Sequence, residues 1–229
     1  MRYDWLLLDA DGTLFDYDAA EAAALAKTFG QVGIEFEPAY IETYRQINAA
    51  IWREFEVGRI SQERLRTRRF ELLFEAAGVE CDPQRFSTLY LKNLAGGTQL
   101  IEGAEEVVKA LHGKVRLALI TNGLKEVQRP RLAASAIARY FDAVLISEEL
   151  GCAKPDRAIF DAAFERMGHP SKERVLIVGD SLTSDIKGGN DYGIDACWFN
   201  PDRKKPDPSI EIRYEIDRLD ALLAIVGVS

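Results

Sequence analysis

The chain reads as an α/β protein: a doubly wound parallel sheet of the Rossmann-like kind, with an inserted helical-bundle cap domain after its first strand. Three observations carry this reading. Short, unbroken apolar runs recur along the chain, helical patterns lie between the later runs, and residues 16 to 95 hold helical signals without a convincing strand.

The first strand is "WLLLD" (5–9). The insertion follows at once. Asp18 with Glu21 has capping-box spacing, Pro38 suits a first helical turn, Ser61 can cap the next helix, and Asp82-Pro83 opens another. Gly30, Gly33, Gly58, Gly78 and Gly96 stand where such helices would stop. About four helices over 16–95 result, and Gly96-Gly97 offers a hinge where the core resumes. The predicted domains are therefore 1–15 with 96–229 as the α/β core, and 16–95 as the cap. In the core, strands are expected at "VRLALIT" (115–121), "AVLIS" (143–147), "RVLIVGD" (174–180) and "ACWFN" (196–200). Helices are expected near 103–112, 124–138, 155–168 and 184–192.

The bulk numbers narrow the function classes. A 229-residue chain with 47% hydrophobic residues can bury a substantial core. A formal net charge of −8 argues against a nucleic-acid polymer or an anionic membrane as partner, and favours a small one. The three-leucine run before Asp9 is too short for a signal peptide or a membrane span. Cys81, Cys152 and Cys197 have no metal-ligand spacing and suit reduced thiols, so a cytoplasmic location is expected.

Chemistry collects at strand ends, which is where open parallel sheets bind ligands. "LLLDADGTLFD" places Asp9, Asp11 and Asp16 within eight residues, and Asp9 and Asp11 at i and i+2 point the same way on an extended backbone. Thr121-Asn122-Gly123 ends the second run, Lys154-Pro155-Asp156 opens a helix, and Gly179-Asp180-Ser181 precedes Asp185. One lysine cannot neutralise four acids. A hard divalent cation with oxygen ligands can, and Mg²⁺ fits better than zinc, for which there is no Cys/His cluster. Lys154 and the Thr121 hydroxyl would hold oxygens of a phosphoryl group, with Asn122 beside them on the substrate side. Asp9 is the expected nucleophile and Asp11 the acid/base, protonated when needed because an acid, a metal and a partly desolvated pocket surround it. Gly12 would let backbone amides approach the phosphoryl group.

"DADGTLFD", "LITNG", "GCAKPD" and "GDSLTSD" resemble, in order, the four motifs of the haloacid dehalogenase superfamily. The resemblance covers about 1–14 and 97–200. It implies a hydrolase core in which Asp9 is nucleophile and metal ligand and Asp11 is acid/base, giving a backbone oxygen to the metal. It further implies that Thr121 and Lys154 bind phosphate and that Asp180 and Asp185 complete the Mg²⁺ site. The founding dehalogenases lack the second acid of the first motif, so Asp11 places the chain with the phosphatase branch. Within that branch, "GDSLTSDIKGGNDYGIDACWFNP" and "IEIRYEIDRLDALLAI" are most similar to the noncanonical pyrimidine 5′-nucleotidases, implying a nucleoside monophosphate as substrate. The rival expectations are a sugar-phosphate or phosphoglycolate phosphatase, a β-phosphoglucomutase-like mutase, and a phospho-acceptor signalling module, against which the helical insertion argues.

The remaining candidates have plainer roles. Asp16 is expected to start the first inserted helix, and Asn48 and Trp52, four apart, to pack rather than stack on a base. His112 and His169 belong in exposed loops. Arg64, Arg66, Arg68 and Arg69 would form a solvated helix face, and Arg203-Lys204-Lys205 would offset local acid in a loop.

Overall fold

A computed structural model describes residues 1–228. The chain divides into two compact units: Met1–Tyr17 with the chain from Thr98 onward, and Asp18–Gly97.

In the first unit, β1 (Trp5–Leu8), β2 (Arg116–Thr121), β3 (Ala143–Ile146), β4 (Val175–Gly179), β5 (Asp195–Phe199) and β6 (Tyr214–Ile216) form one sheet in the order β3-β2-β1-β4-β5-β6. Every pair is parallel. The central strands alternate between two cores. Leu6, Leu8, Leu119, Val178 and Cys197 face one layer of helices, whereas Trp5, Leu7, Ile120, Ile177 and Trp198 face the other. The first core takes side chains from α5 (Ala104–Leu111), α6 (Lys125–Ala134) and α10 (Ala221–Val226). The second takes them from α8 (Arg157–Met167) and α9 (Lys187–Tyr192). With both faces covered, the strands need no polar alternation, which is why they read as continuous apolar runs.

The chain leaves β1 for β2 on one side and later crosses to β4 on the other, so β1 lies where the strand order reverses. Ligands of doubly wound sheets gather beyond that point.

Several elements differ from expectation. The helix expected over 124–138 stops at Ala134, because Ser135 turns extended, and a separate 3₁₀ turn follows at Ala138–Tyr140. The helix expected over 184–192 begins as a single π turn, Leu182–Ile186, that runs into α9. Three elements had no sequence signal strong enough to find: the short α7 (Ser147–Leu150), β6 and α10. β6 has three residues with one buried side chain, and charged neighbours hide it.

The second unit holds α1 (Tyr17–Val32, whose first residue belongs to the first unit), α2 (Ala39–Glu56), α3 (Gln62–Ala77) and α4 (Pro83–Leu94). Ser61 caps α3 by accepting from Arg64 N at 3.3 Å, and Asp82 caps α4 by accepting from Gln84 N at 2.9 Å. Pro38 stands immediately before α2 in helical conformation. Phe29, Phe70, Phe74 and Phe86 interlock, with Phe86 lying about 5 Å from each of the other three rings.

Two local readings are corrected here. Asp18 and Glu21 form no capping box, since α1 already begins at Tyr17; their carboxylates instead reach Arg45, at 3.5 Å and 3.1 Å. Arg69 is not on a solvated face. It is buried and donates to Asn48 Oδ1 at 3.1 Å, while Asn48 Nδ2 donates to Glu21 at 3.4 Å. Arg64 and Arg68 do lie outward and pair with Glu71. The i+4 rule explains the division: Arg69 falls between Leu65 and Leu73, both buried, on the inward stripe of α3. His112 and His169 are exposed, as expected of loop residues.

Candidate active site

Asp9 is the first residue beyond β1. Its N–H donates to Val178 O at 2.9 Å, which carries the parallel pairing one step past Leu8 and Val178 and fixes the backbone beside β4. The side chain is buried and meets the Lys154 ammonium at 2.5 Å. Lys154 Nζ also donates to Asp185 Oδ1 at 2.7 Å and to Ile120 O at 2.9 Å, so its three N–H groups have three acceptors.

The loop holding Lys154 is fastened from β2. Asn122 Nδ2 donates to Lys154 O at 2.8 Å, and Lys154 N donates to Asn122 Oδ1 at 2.8 Å. Asn122 thus departs from its expected place on the substrate side, because both ends of its amide are committed to one backbone. Thr121 is buried at the end of β2, where its hydroxyl accepts from Gly123 N at 3.1 Å.

Asp185 belongs to the π turn after β4. Its Oδ2 accepts from Ser181 N at 3.1 Å, and Ser181 Oγ accepts from Ser184 N at 3.2 Å, so the turn is tied at its start. Asp180 is held through its backbone, where Trp198 Nε1 on β5 donates to Asp180 O at 2.9 Å. Carboxylate oxygens of Asp9, Asp180 and Asp185 lie within 4.8 Å of one another. Gly12, with φ +79°, passes so close that a Cβ there would stand 2.7 Å from Asp180 Oδ2, which leaves no room for a side chain.

The electrostatics follow from burial. Desolvation pushes the Asp9 carboxyl well above its ordinary range, and Asp185 and Asp180 add to this while Lys154 opposes it. Desolvation likewise raises Asp180 to about 7, with Asp185 adding and Lys154 opposing. Burial alone would lower the Lys154 ammonium, but Asp185 and Asp9 outweigh it and hold the group above the usual lysine value. When ionised, the three acids outnumber the one ammonium, and an all-oxygen donor set of this kind suits a hard divalent cation.

Asp11 has a different neighbourhood from the expected one of acids and metal. Its carboxylate turns to α6, where Arg131 Nη1 meets Oδ1 and Gln128 Nε2 reaches Oδ2 at 2.5 Å. It is not one of the three clustered carboxylates. The consecutive acids at i and i+2 are therefore separated, Asp9 to Lys154 and Asp11 to Arg131. Gln128 and Arg131 were absent from the expected set. The available signal was two polar side chains at i and i+3, flanked by the apolar Val127 and Leu132, on a helix that starts just after the Thr-Asn-Gly turn.

Among the described residues, no helix is long and apolar enough to cross a membrane. Residues 3–193 match the haloacid dehalogenase-like hydrolases. The chain is 38% identical to the HAD-hydrolase YfnB of Bacillus subtilis over 99% of its own length and 97% of YfnB. The YfnB crystal structure, described as bound to magnesium and as revealing interdomain movement, superposes with a TM-score of 0.95 over the whole of both chains. The pyrimidine 5′-nucleotidase PynA of Streptococcus pneumoniae is 37% identical over 97% of this chain and 96% of its own. The pyrimidine 5′-nucleotidase YjjG of Escherichia coli is 33% identical over 97% of each. Full-length similarity and the sheet with its strand-end acids lead to one conclusion: the chain belongs to the haloacid dehalogenase-like hydrolase family.

Proposed function

We propose that this chain is a Mg²⁺-dependent phosphomonoesterase that dephosphorylates nucleoside 5′-monophosphates through an aspartyl-phosphate on Asp9. The observation that carries the reading is the meeting of Asp9 and Asp185 on the Lys154 ammonium at the reversal point of the sheet, with Asp180 in the same carboxylate cluster and Asp11, two residues from Asp9, held by partners of its own. The nucleotide part rests on the likeness to PynA and YjjG.

The steps are assigned to the chain's own groups. An Asp9 carboxylate oxygen attacks phosphorus, the bond from phosphorus to the ester oxygen breaks, and Asp11 gives its proton to the departing nucleoside oxygen. Asp11 then takes a proton from water as that water attacks phosphorus, which releases inorganic phosphate and restores the Asp9 carboxylate. Lys154 and Thr121 hold phosphoryl oxygens, and Asn122 serves by positioning Lys154. Mg²⁺ would be held by Asp9, Asp180, Asp185 and the backbone oxygen of Asp11, and when bound it supplies positive charge against the phosphoryl oxygens. The donor chemistry fits, being three carboxylates with no sulfur or imidazole among them. The inserted helical unit, with boundaries near 16 and 95, is assigned the role of a cap that controls water at the site.

The partner is a mononucleotide rather than a polymer, in keeping with the net charge of −8. A cytoplasmic setting accords with the free thiols of Cys81, Cys152 and Cys197.

A substrate panel with Mg²⁺ tests the reading, comparing nucleoside monophosphates with sugar phosphates and phosphoglycolate. Preference for the nucleotides with release of free phosphate is expected. Equal or better turnover of sugar phosphates or phosphoglycolate defeats the nucleotidase assignment, and an isomerised sugar phosphate as product defeats the hydrolase assignment.

A further inference from the structure

We propose that Gln128 and Arg131 are positioning residues for Asp11, fixing its carboxylate in the orientation from which it exchanges a proton with the leaving oxygen. The inference deepens the phosphomonoesterase reading and rests on it, because it takes Asp11 as the acid/base.

Both carboxylate oxygens are engaged from one helix. Gln128 Nε2 donates to Oδ2 at 2.5 Å and Arg131 Nη1 donates to Oδ1. Two donors on two oxygens fix the rotation of the carboxylate plane as well as its position, which a single contact would not. The donors are themselves buried. Arg131 is 0% exposed and Gln128 3% exposed, whereas the Asp11 side chain keeps 26% of its surface open. The exposed part of Asp11 is thus presented to incoming molecules while its bonded part is anchored in the protein.

The surroundings are built to allow this. The Arg131 guanidinium lies 5.5 Å from the centre of the Phe15 ring. Phe15 in turn fixes the backbone next to Asp11, since Gly12 N donates to Phe15 O at 3.0 Å. Gln128 reaches Asp11 by crossing over Gly123, where a Cβ would stand 2.3 Å from Gln128 Nε2. The glycine of the Thr-Asn-Gly turn therefore makes room for the positioning side chain.

An apolar residue at either helix position would bury more easily. Desolvating a guanidinium is costly before any pairing, and stability alone gives little reason to keep the charge. The pair also separates two neighbouring acids. Lys154 serves Asp9 and Asp185, so Asp11 is held without sharing that ammonium.

The test compares two substrates in the intact Mg²⁺-loaded enzyme. A nucleoside 5′-monophosphate has an alkoxide leaving group that needs a proton, whereas p-nitrophenyl phosphate departs without one. Gln128→Met keeps side-chain volume, and Arg131→Lys keeps charge but loses the planar fork. Each is expected to lower kcat/KM for the nucleotide by about ten- to a hundredfold, a partial loss set against the roughly hundredfold or more that general acid catalysis contributes, and to change p-nitrophenyl phosphate by less than about threefold. Equal losses on both substrates would mark a purely structural pair and overturn the inference, as would unchanged nucleotide turnover. Gln128→Met decides the matter alone if Arg131→Lys does not fold. Asp11→Asn is the reference: if it too fails to discriminate between the substrates, the acid/base reading of Asp11 falls and the inference with it. If it discriminates and the other two variants do not, only the inference falls.

Discussion

Lys154 and Asp185 meet at 2.7 Å with both side chains 1% exposed, a fully desolvated ion pair reaching from the loop before α8 to the π turn after β4. Asp9 joins the same ammonium at 2.5 Å, so one cation is shared between two buried carboxylates. In their ionised form the two carboxylates need positive charge beside them. Lysine provides part of that charge, and the proposed Mg²⁺ would provide the rest.

Replacing Lys154 by methionine keeps the aliphatic stem and removes the charge. Breaking a buried pair by deleting one partner costs about 3–5 kcal/mol, because the remaining charge stays desolvated. Denaturant unfolding of Lys154→Met in EDTA should show a loss of this order. Mg²⁺ should recover part of it, and kcat/KM should fall by about a hundredfold or more. A variant as stable as the parent in EDTA would mean that the pair is not the electrostatic centre of the site.

The raised carboxyls set a pH window for metal binding. Asp180, pushed up to about 7, and Asp9, raised in the same direction, bind more protons folded than unfolded from about pH 4 upward. The metal-free protein should therefore lose stability as pH rises through that window. A cation needs the same groups deprotonated, so its affinity should weaken as pH falls, by about tenfold per unit for each proton displaced, with the Asp180 contribution setting in below about 7. The rise in Tm produced by Mg²⁺ should be small at pH 5.5 and large at pH 8. Equal shifts at the two pH values would contradict the assigned ligands.

Asn122 anchors the Lys154 backbone by two hydrogen bonds of 2.8 Å. Asn122→Ala leaves the backbone N–H and C=O of Lys154 without those partners, at a cost of about 1–3 kcal/mol. Activity should drop chiefly in kcat, because the ammonium is displaced rather than deleted. An unchanged kcat with a raised KM would instead favour direct substrate contact by Asn122.

The sequence made some parts of this molecule legible and hid others for physical reasons. β1 and β4 announced themselves because both faces of each are covered, which forces unbroken apolar runs. Ser61 and Asp82 announced two helix starts because capping uses only the residue's own neighbours. Asp9, Lys154, Asp180 and Asp185 could be gathered from their strand-end positions, since the topology alone brings such ends together. The Asp11 contacts with Gln128 and Arg131 were not legible, because they depend on how α6 is rotated, which no local pattern encodes. The inward place of Arg69 is hidden for a related reason. Four arginines in six residues look like surface, and only the phase of α3 against Leu65 and Leu73 turns one of them inward. β6 leaves no trace because three residues at a sheet edge carry almost no periodicity.

Covalent catalysis by Asp9 is the central claim, and trapping the phosphoryl group tests it most directly. The enzyme is mixed with Mg²⁺ and its best nucleoside monophosphate, quenched in acid within the first turnover, and digested for peptide mass measurement. The peptide containing Asp9 should carry the added mass of one phosphoryl group, and Asp9→Asn should show neither the adduct nor phosphate release. Steady phosphate release by Asp9→Asn, or a phosphoryl group trapped on another residue, would contradict the account.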